Sequence, residues 1–242
     1  FSATSSGVAL NRVVAEVLNK PEVLRVNRTS DLNEGTKQQI ITADDVAHKE
    51  RLVQWLLAHE VFEKAIIFTN TRDQADRLGS VLVASAAVKS YVLHGEKDHK
   101  ERKQTIARLN QGHINVLVAT DVAARGLDIQ GMDLVINFDM PRSGDEYVHR
   151  IGRTGRAGGE GIAISLIATH EWNLMSSIER YLKQSFERRI IFTREYNTSS
   201  EGNLLIVIIF IVVTQYHRDI KCYIKYWNHE DTASVCTYFY KE

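Results

Sequence analysis

Between Lys37 and about Arg189 the sequence alternates short apolar runs with amphipathic stretches, and this rhythm restricts the fold more than any other feature. KQQIITA (37–43), KAIIFTN (64–70), VKSYVLHG (88–95), INVLVAT (114–120), DLVINF (133–138) and GIAISLI (161–167) read as strands. Between them HKERLVQWLLAHE (48–60), TRDQADRLGSVLVAS (71–85), HKERKQTIARLNQG (99–112) and GDEYVHRIGR (144–153) have helical periodicity, and residues 171–188 are predicted to form a closing helix. Apolar strands separated by amphipathic helices predict an α/β fold, a parallel sheet sandwiched by helices. Ligands of such sheets sit at the C-terminal ends of the strands. Here those ends are Thr69–Arg72, His94–Gly95, Thr120–Gly126 and Asp139–Arg142.

The flanks read differently. Residues 5–20 are predicted to be helical and to stop at Pro21, and NRTSDLNEGTK (27–37) is polar and turn-rich, as a linker is. Beyond residue 190 the alternation ends. LLIVIIFIVV (204–213) is apolar for ten residues, half the ~20 that a transmembrane helix needs. Cys222, Cys236, His217 and His229 lack the paired spacing of a zinc site. Residues 190–242 are therefore expected to be an irregular tail, disordered or foreign to the native coding sequence, and no metal site is expected.

Composition narrows the partners. The 30 basic and 30 acidic residues cancel, so a polyanion has to be held by a local cluster rather than by an overall field. Two cysteines make no disulfide framework. The first residues lack a basic segment followed by an apolar one, so no secretory signal or membrane partner is expected, and a chain that opens with Phe is expected to be a fragment.

Two clusters stand out. HRIGRTGR (149–156) contains Arg150, Arg153 and Arg156 with no acid between Glu146 and Glu160. If residues 147–156 are helical, His149, Arg153 and Arg156 share one face at 0, +4 and +7 while Arg150 points elsewhere. Such guanidiniums suit phosphate; the alternative is a basic surface helix. In VLVATDVAARGLDI (116–129), Thr120 and Asp121 follow a buried strand, Gly126 allows close approach to a ligand, and Asp128 can accept from ribose hydroxyls. The alternative there is a strand, a turn and a helix with Asp121 as N-cap.

With these segments in this order, the chain resembles the second RecA-like domain of the DEAD-box ATP-dependent RNA helicases of superfamily 2, from Phe1 to about Arg189. Ser2-Ala3-Thr4 is similar to the SAT motif, IIFTNTR (66–72) to motif IV, LHG (93–95) with Arg102 to motif IVa, ATDVAARGLDI to motif V, DLVINFDMP (133–141) to motif Va and HRIGRTGR to motif VI. The resemblance implies residues 1–26 as the end of a first RecA-like domain, 27–36 as linker and 37–189 as the helicase C-terminal domain. It implies that Arg153 and Arg156 are arginine fingers for ATP and that His149 couples the cleft to the first domain, as Ser2 and Thr4 do. Gly126 and Asp128 then lie against the ribose, and Asn70, Arg72, Gly95, Arg102 and Thr120 hold RNA phosphates. One position departs from the family: His99 stands where glutamine is usual before Arg102.

The sequence contains neither the phosphate-binding GxxxxGK[ST] motif nor a DEAD tetrad. The expectation is an RNA helicase half that takes ATP, with Mg2+, from a missing N-terminal domain and is inactive alone. It is expected to be a monomer, cytoplasmic or, in a eukaryote, nuclear, and closer to bacterial members. A superfamily 2 DNA helicase and a free-standing RNA-binding module are the alternatives.

Overall fold

The computed structural model describes residues 35–85, 88–96, 98–125, 127, 129, 131–155 and 161–198, the strands 205–216, 219–226 and 234–240, and Arg12, Glu16 and Val17. Arg12 and Glu16 pair at 3.4 Å in the helical register expected of residues 5–20. Ser2, Thr4 and nearly all of the linker lie outside the described residues.

The elements run β1 (Thr36–Ala43), α1 (Val46–His59), β2 (Ala65–Thr69), α2 (Arg72–Ser85), β3 (Ser90–Leu93), α3 (His99–Asn110) and β4 (Val116–Thr120). There follow α4 (Asp121–Ala124), β5 (Leu134–Asn137), α5 (Gly144–Ile151), β6 (Gly161–Ala168), a 3-10 turn (Thr169–Glu171) and α6 (Trp172–Leu182). The chain closes with β7 (Glu187–Thr198), β8 (Leu205–Tyr216), β9 (Asp219–Tyr226) and β10 (Ser234–Tyr240).

Seven strands form a parallel sheet in the order β7-β1-β6-β5-β2-β4-β3. β2 and β4 are buried at every position, which is why AIIFT and VLVAT carry no polar alternation. The sheet separates two cores. On one face Ile66, Phe68, Leu117 and Val135 pack with Leu109 of α3, Tyr147 and Ile151 of α5, and Met175 and Ile178 of α6. On the other, Ile67, Val116, Val118 and Ile136 pack with Leu52 and Leu56 of α1 and Leu78 and Leu82 of α2. Local signals start the helices. The Asp45 carboxylate accepts from the His48 N–H at 2.7 Å, Asp98 from Glu101 at 2.6 Å and Ser143 Oγ from Glu146 at 3.2 Å.

Two features differ from the sequence reading. The closing helix stops at Leu182, short of residue 188, because Lys183 takes the left-handed conformation (φ 54°) and turns the chain so that Phe186 returns to the core. The tail expected to be irregular is extended. β7 lines up beside β1 at Gln39 and Ile40, and β8, β9 and β10 continue from it as an antiparallel ladder. LIVIIFIVVTQY and SVCTYFY are dense in β-branched and aromatic residues, which favour strand over coil. The boundary drawn at Arg189 therefore falls inside β7. Among the described residues no helix is long and apolar enough to cross a membrane.

One buried ion pair joins the first helix to the last part of the sheet. Lys49 of α1 donates to the Glu171 carboxylate at 2.5 Å and to the Phe138 carbonyl at 2.7 Å, and its side chain is 3% exposed. Glu171 in turn accepts from Met140 N at 3.0 Å and from Ala168 N at 2.8 Å. The segment after β5 is thus held at Phe138 and Met140 by two bonds to this pair, and a third ties the pair to the end of β6 at Ala168. Lys49→Met leaves a buried carboxylate without its cation and should cost roughly 3–5 kcal/mol in urea denaturation. Lys49→Met with Glu171→Gln removes the stranded charge and should be the more stable of the two; a double mutant weaker than the single would overturn this account.

Candidate functional site

β2 and β5 are neighbours in the sheet, yet the helices that leave them part: α2 packs into one core and α5 into the other. Open parallel sheets bind ligands where outgoing connections diverge in this way. Arg150 stands at this point. Its side chain is 1% exposed, and it is the largest of the fully buried side chains. Nε and Nη2 grip the Asp121 carboxylate in a fork at 2.9 and 2.6 Å. Nη2 also donates to Asn70 Oδ1 at 2.7 Å, and Nη1 to the Asp139 carbonyl at 2.6 Å and to Asn137 Oδ1 at 3.4 Å. All five N–H groups of the guanidinium have an acceptor. The plane lies over the Phe68 ring at 5.2 Å. The C-terminal ends of β2, β4 and β5 are thereby tied to one side chain.

This corrects the reading of HRIGRTGR as a helical face. α5 ends at Ile151, its cap Gly152 closes onto Val148 and Arg150, and residues 153–155 leave as a turn. His149 and Arg153 therefore share no helical face, and Arg150, expected to point elsewhere, faces the core. The signal was present: Tyr147, Arg150 and Ile151 are spaced i, i+3, i+4 and all are buried, which is the inward stripe of the helix. The alternative reading of Asp121 as N-cap also fails. Thr120 takes the N-cap position, and Asp121 begins α4 and turns its carboxylate to Arg150.

The residues assigned to RNA lie along the C-terminal edge. Asn70 follows β2, and besides meeting Arg150 it donates Nδ2 to the Met140 carbonyl at 3.0 Å, while its N–H reaches the Asp139 carboxylate at 2.8 Å. Thr120 ends β4 opposite Thr69 and is buried. Gly95 is exposed after β3, and its carbonyl accepts from Arg102 Nη2 at 3.0 Å. Arg72 opens α2 and pairs with Glu96. His99 begins α3.

Of the residues assigned to the nucleotide, Arg153 and His149 are described. Half-buried Arg153 donates Nη1 to the Leu127 and Ile129 carbonyls at 3.3 and 3.4 Å, and its own carbonyl accepts from Met132 N at 3.1 Å. It thus abuts the stretch that carries Gly126 and Asp128, which with Arg156 lie outside the described residues. His149 is half-buried on α5. Gly155 has φ 65°, and a Cβ there would come within 2.0 Å of Thr36 Oγ1, so only glycine lets the turn pass beside the start of β1. Gly161 N bonds to the Gly35 carbonyl at 3.0 Å in the same place.

Burial raises the Asp139 carboxyl above its ordinary 3.8, against the opposing pull of the Asn70 N–H, Lys49 and Arg150. Burial likewise pushes up the Tyr147 hydroxyl, which donates to Gln38 Oε1 at 3.0 Å.

Residues 47–158 match the family described as the Helicase conserved C-terminal domain. The chain is 40% identical over 191 residues to the ATP-dependent RNA helicase SrmB of Escherichia coli, covering 79% of this chain and 43% of that protein. It is 35% identical over 187 residues to the DEAD-box ATP-dependent RNA helicase RhpA of Helicobacter pylori, covering 77% of this chain and 37% of that protein. It thus spans less than half the length of these curated relatives. Among solved structures, E. coli DEAD-box protein SrmB bound to regulator of ribonuclease activity A is similar with a TM-score of 0.61 at 43% identity, covering 64% of this chain and 91% of that one. S. cerevisiae Dbp5 bound to RNA and ADP BeF3 is similar with a TM-score of 0.69 at 28% identity, covering 77% and 49%.

Two measurements test this geometry. Arg150→Met leaves the partly buried Asp121 carboxylate without its cation and should cost roughly 3 kcal/mol, and Arg150→Lys should recover little, because an ammonium cannot present a planar fork to acceptors from three strand ends. Asp139 carries the second test. An acid whose pKa is higher when folded binds more protons in the folded state, so its contribution to stability falls as pH rises through the window above 3.8. Asp139→Asn keeps an acceptor for Asn70 N and removes the titration. Its stability relative to the parent should therefore rise between about pH 3 and pH 7; parallel pH profiles would contradict the assignment.

Proposed function

Since this chain belongs to the DEAD-box RNA helicases, as a C-terminal RecA-like domain of that family, we propose that it grips the backbone of single-stranded RNA and supplies arginines to an ATP site completed by an N-terminal RecA-like domain. The observation that carries the reading is the division of its cations. Arg72 and Arg102 stand at the C-terminal edge of the sheet beside β3, whereas Arg153 leaves α5 against residues 127–129. Arg150, between the two groups, is committed to the fold.

On the RNA side, Arg72 and Arg102 meet phosphate oxygens, Gly95 allows the backbone close, and Thr120 and Asn70 bound the same edge. None of these groups reads a base, so the grip is tolerant of sequence. That Dbp5, similar in fold, has been solved with RNA and ADP BeF3 supports this reading.

On the nucleotide side, the donors present suit a phosphate: a guanidinium held by two carbonyls, next to a turn that only glycine can make. Arg153 and Arg156 would hold the γ-phosphate, and Gly126 and Asp128 the ribose. His149 would relay closure to Ser2 and Thr4, and Mg2+ would be held by the N-terminal domain. ATP supplies the phosphoryl group that is transferred to water. Guanidiniums fixed before the reaction stabilise the charge that develops on that group. Because Arg153 and the edge arginines are carried by one domain, parting of the two domains after hydrolysis would withdraw both at once and free the RNA.

The 242-residue chain alone should show no RNA-stimulated ATP turnover. In the two-domain protein Arg153→Ala should lower turnover by roughly 10³-fold or more. The chain should bind single-stranded RNA with an affinity that falls with salt, and Arg102→Ala should flatten the log–log slope by about 0.7. Turnover by the chain alone, or a slope unchanged by Arg102→Ala, would refute the corresponding assignment.

A further inference from the structure

The three residues after β3 present two oxygens to the two arginines of the RNA edge. The Gly95 carbonyl takes Arg102, and the Glu96 carboxylate takes Arg72. Arg72 is the first residue of α2, where the helix dipole is positive and offers a cation nothing. Glu96 is therefore the countercharge that the structure gives it. The pair is open to solvent, with side-chain exposures of 52% for Arg72 and 66% for Glu96, and pairs so placed are weak and readily exchanged. A carboxylate and a phosphate present like oxygens to a guanidinium fork. The group that holds Arg72 is therefore the kind of group that an RNA phosphate would replace.

We propose that Glu96 is a built-in competitor for the RNA phosphate. It occupies Arg72 while RNA is absent, must give way when a phosphate arrives, and so sets the affinity of this edge for RNA. The inference rests on the reading of Arg72 as a phosphate contact. It has two consequences. Arg72 is held near its working position before RNA binds, and the grip is weaker than the arginines alone would make it, which favours release of RNA when the domains part.

The test is the anisotropy of a fluorescent oligouridylate titrated with the full chain at low ionic strength. Glu96→Gln should bind about two- to fivefold more tightly than the parent. In an Arg72→Ala background the same substitution should give no gain, since the pair is already gone. Asp73→Asn removes an exposed acid from the same helical turn without touching the pair, and should tighten binding less than Glu96→Gln does. Equal gains from Glu96→Gln with and without Arg72, or from Asp73→Asn, would reduce Glu96 to one charge among others and overturn the proposal. RNA binding by the parent that Glu96→Gln leaves unchanged overturns it too, with the RNA reading intact. If neither protein binds the oligouridylate, the RNA reading and the proposal fall together.

Discussion

A guanidinium out of water is tolerable only when every N–H finds an acceptor. Arg150 meets that condition by drawing on the ends of β2 and β5 and on the carboxylate of Asp121, which opens α4 directly after β4. The demand runs both ways. Asp121, Asn70 and the segment 137–139 are each positioned by a donor that they share with the others. Loops at the end of a parallel sheet are ordinarily its loosest part; here one side chain makes three of them interdependent. The Lys49–Glu171 pair fixes the segment after β5 from the opposite side. Residues 138–140 therefore lie between two buried cations.

This arrangement frees the remaining cations for other work. With Arg150 satisfied inside, His149 stays on α5 and Arg153 lies just beyond its end, where the chain turns at Gly152 and Gly155. One arginine of the cluster is thereby committed to the fold, while Arg153 is held outside it by the carbonyls of residues 127 and 129.

The order of strands and helices was legible because both faces of the sheet are covered. AIIFT and VLVAT had to be apolar throughout, and α1 and α2 had to be amphipathic. The C-terminal ends of the strands followed from the same rule, and the structure gathers Asn70, Gly95 and Thr120 along them. The role of Arg150 was not legible from charge, since an arginine between His149 and Gly152 looks exposed unless the helical stripe of Tyr147 and Ile151 is given more weight than polarity. The end of α5 was missed because the even spacing of His149, Arg153 and Arg156 was given more weight than Gly152, which closes the helix. The closing helix was overextended because nothing in KQSFE marks Lys183 as the left-handed residue. The apolar run 204–213 has the composition of a strand, and β8, which contains most of it, is paired on both sides, with β7 and β9.

The contact between Gly155 and Thr36 has a mechanical meaning. The chain comes into the sheet at Gly35 and Thr36, and it is there, through Gly161 N and the missing Cβ of Gly155, that the arginine turn is fastened. The point of attachment of the preceding polypeptide and the basic turn are thus one joint. A pull on the incoming strand loads that joint directly, with no intervening span of sheet to absorb it.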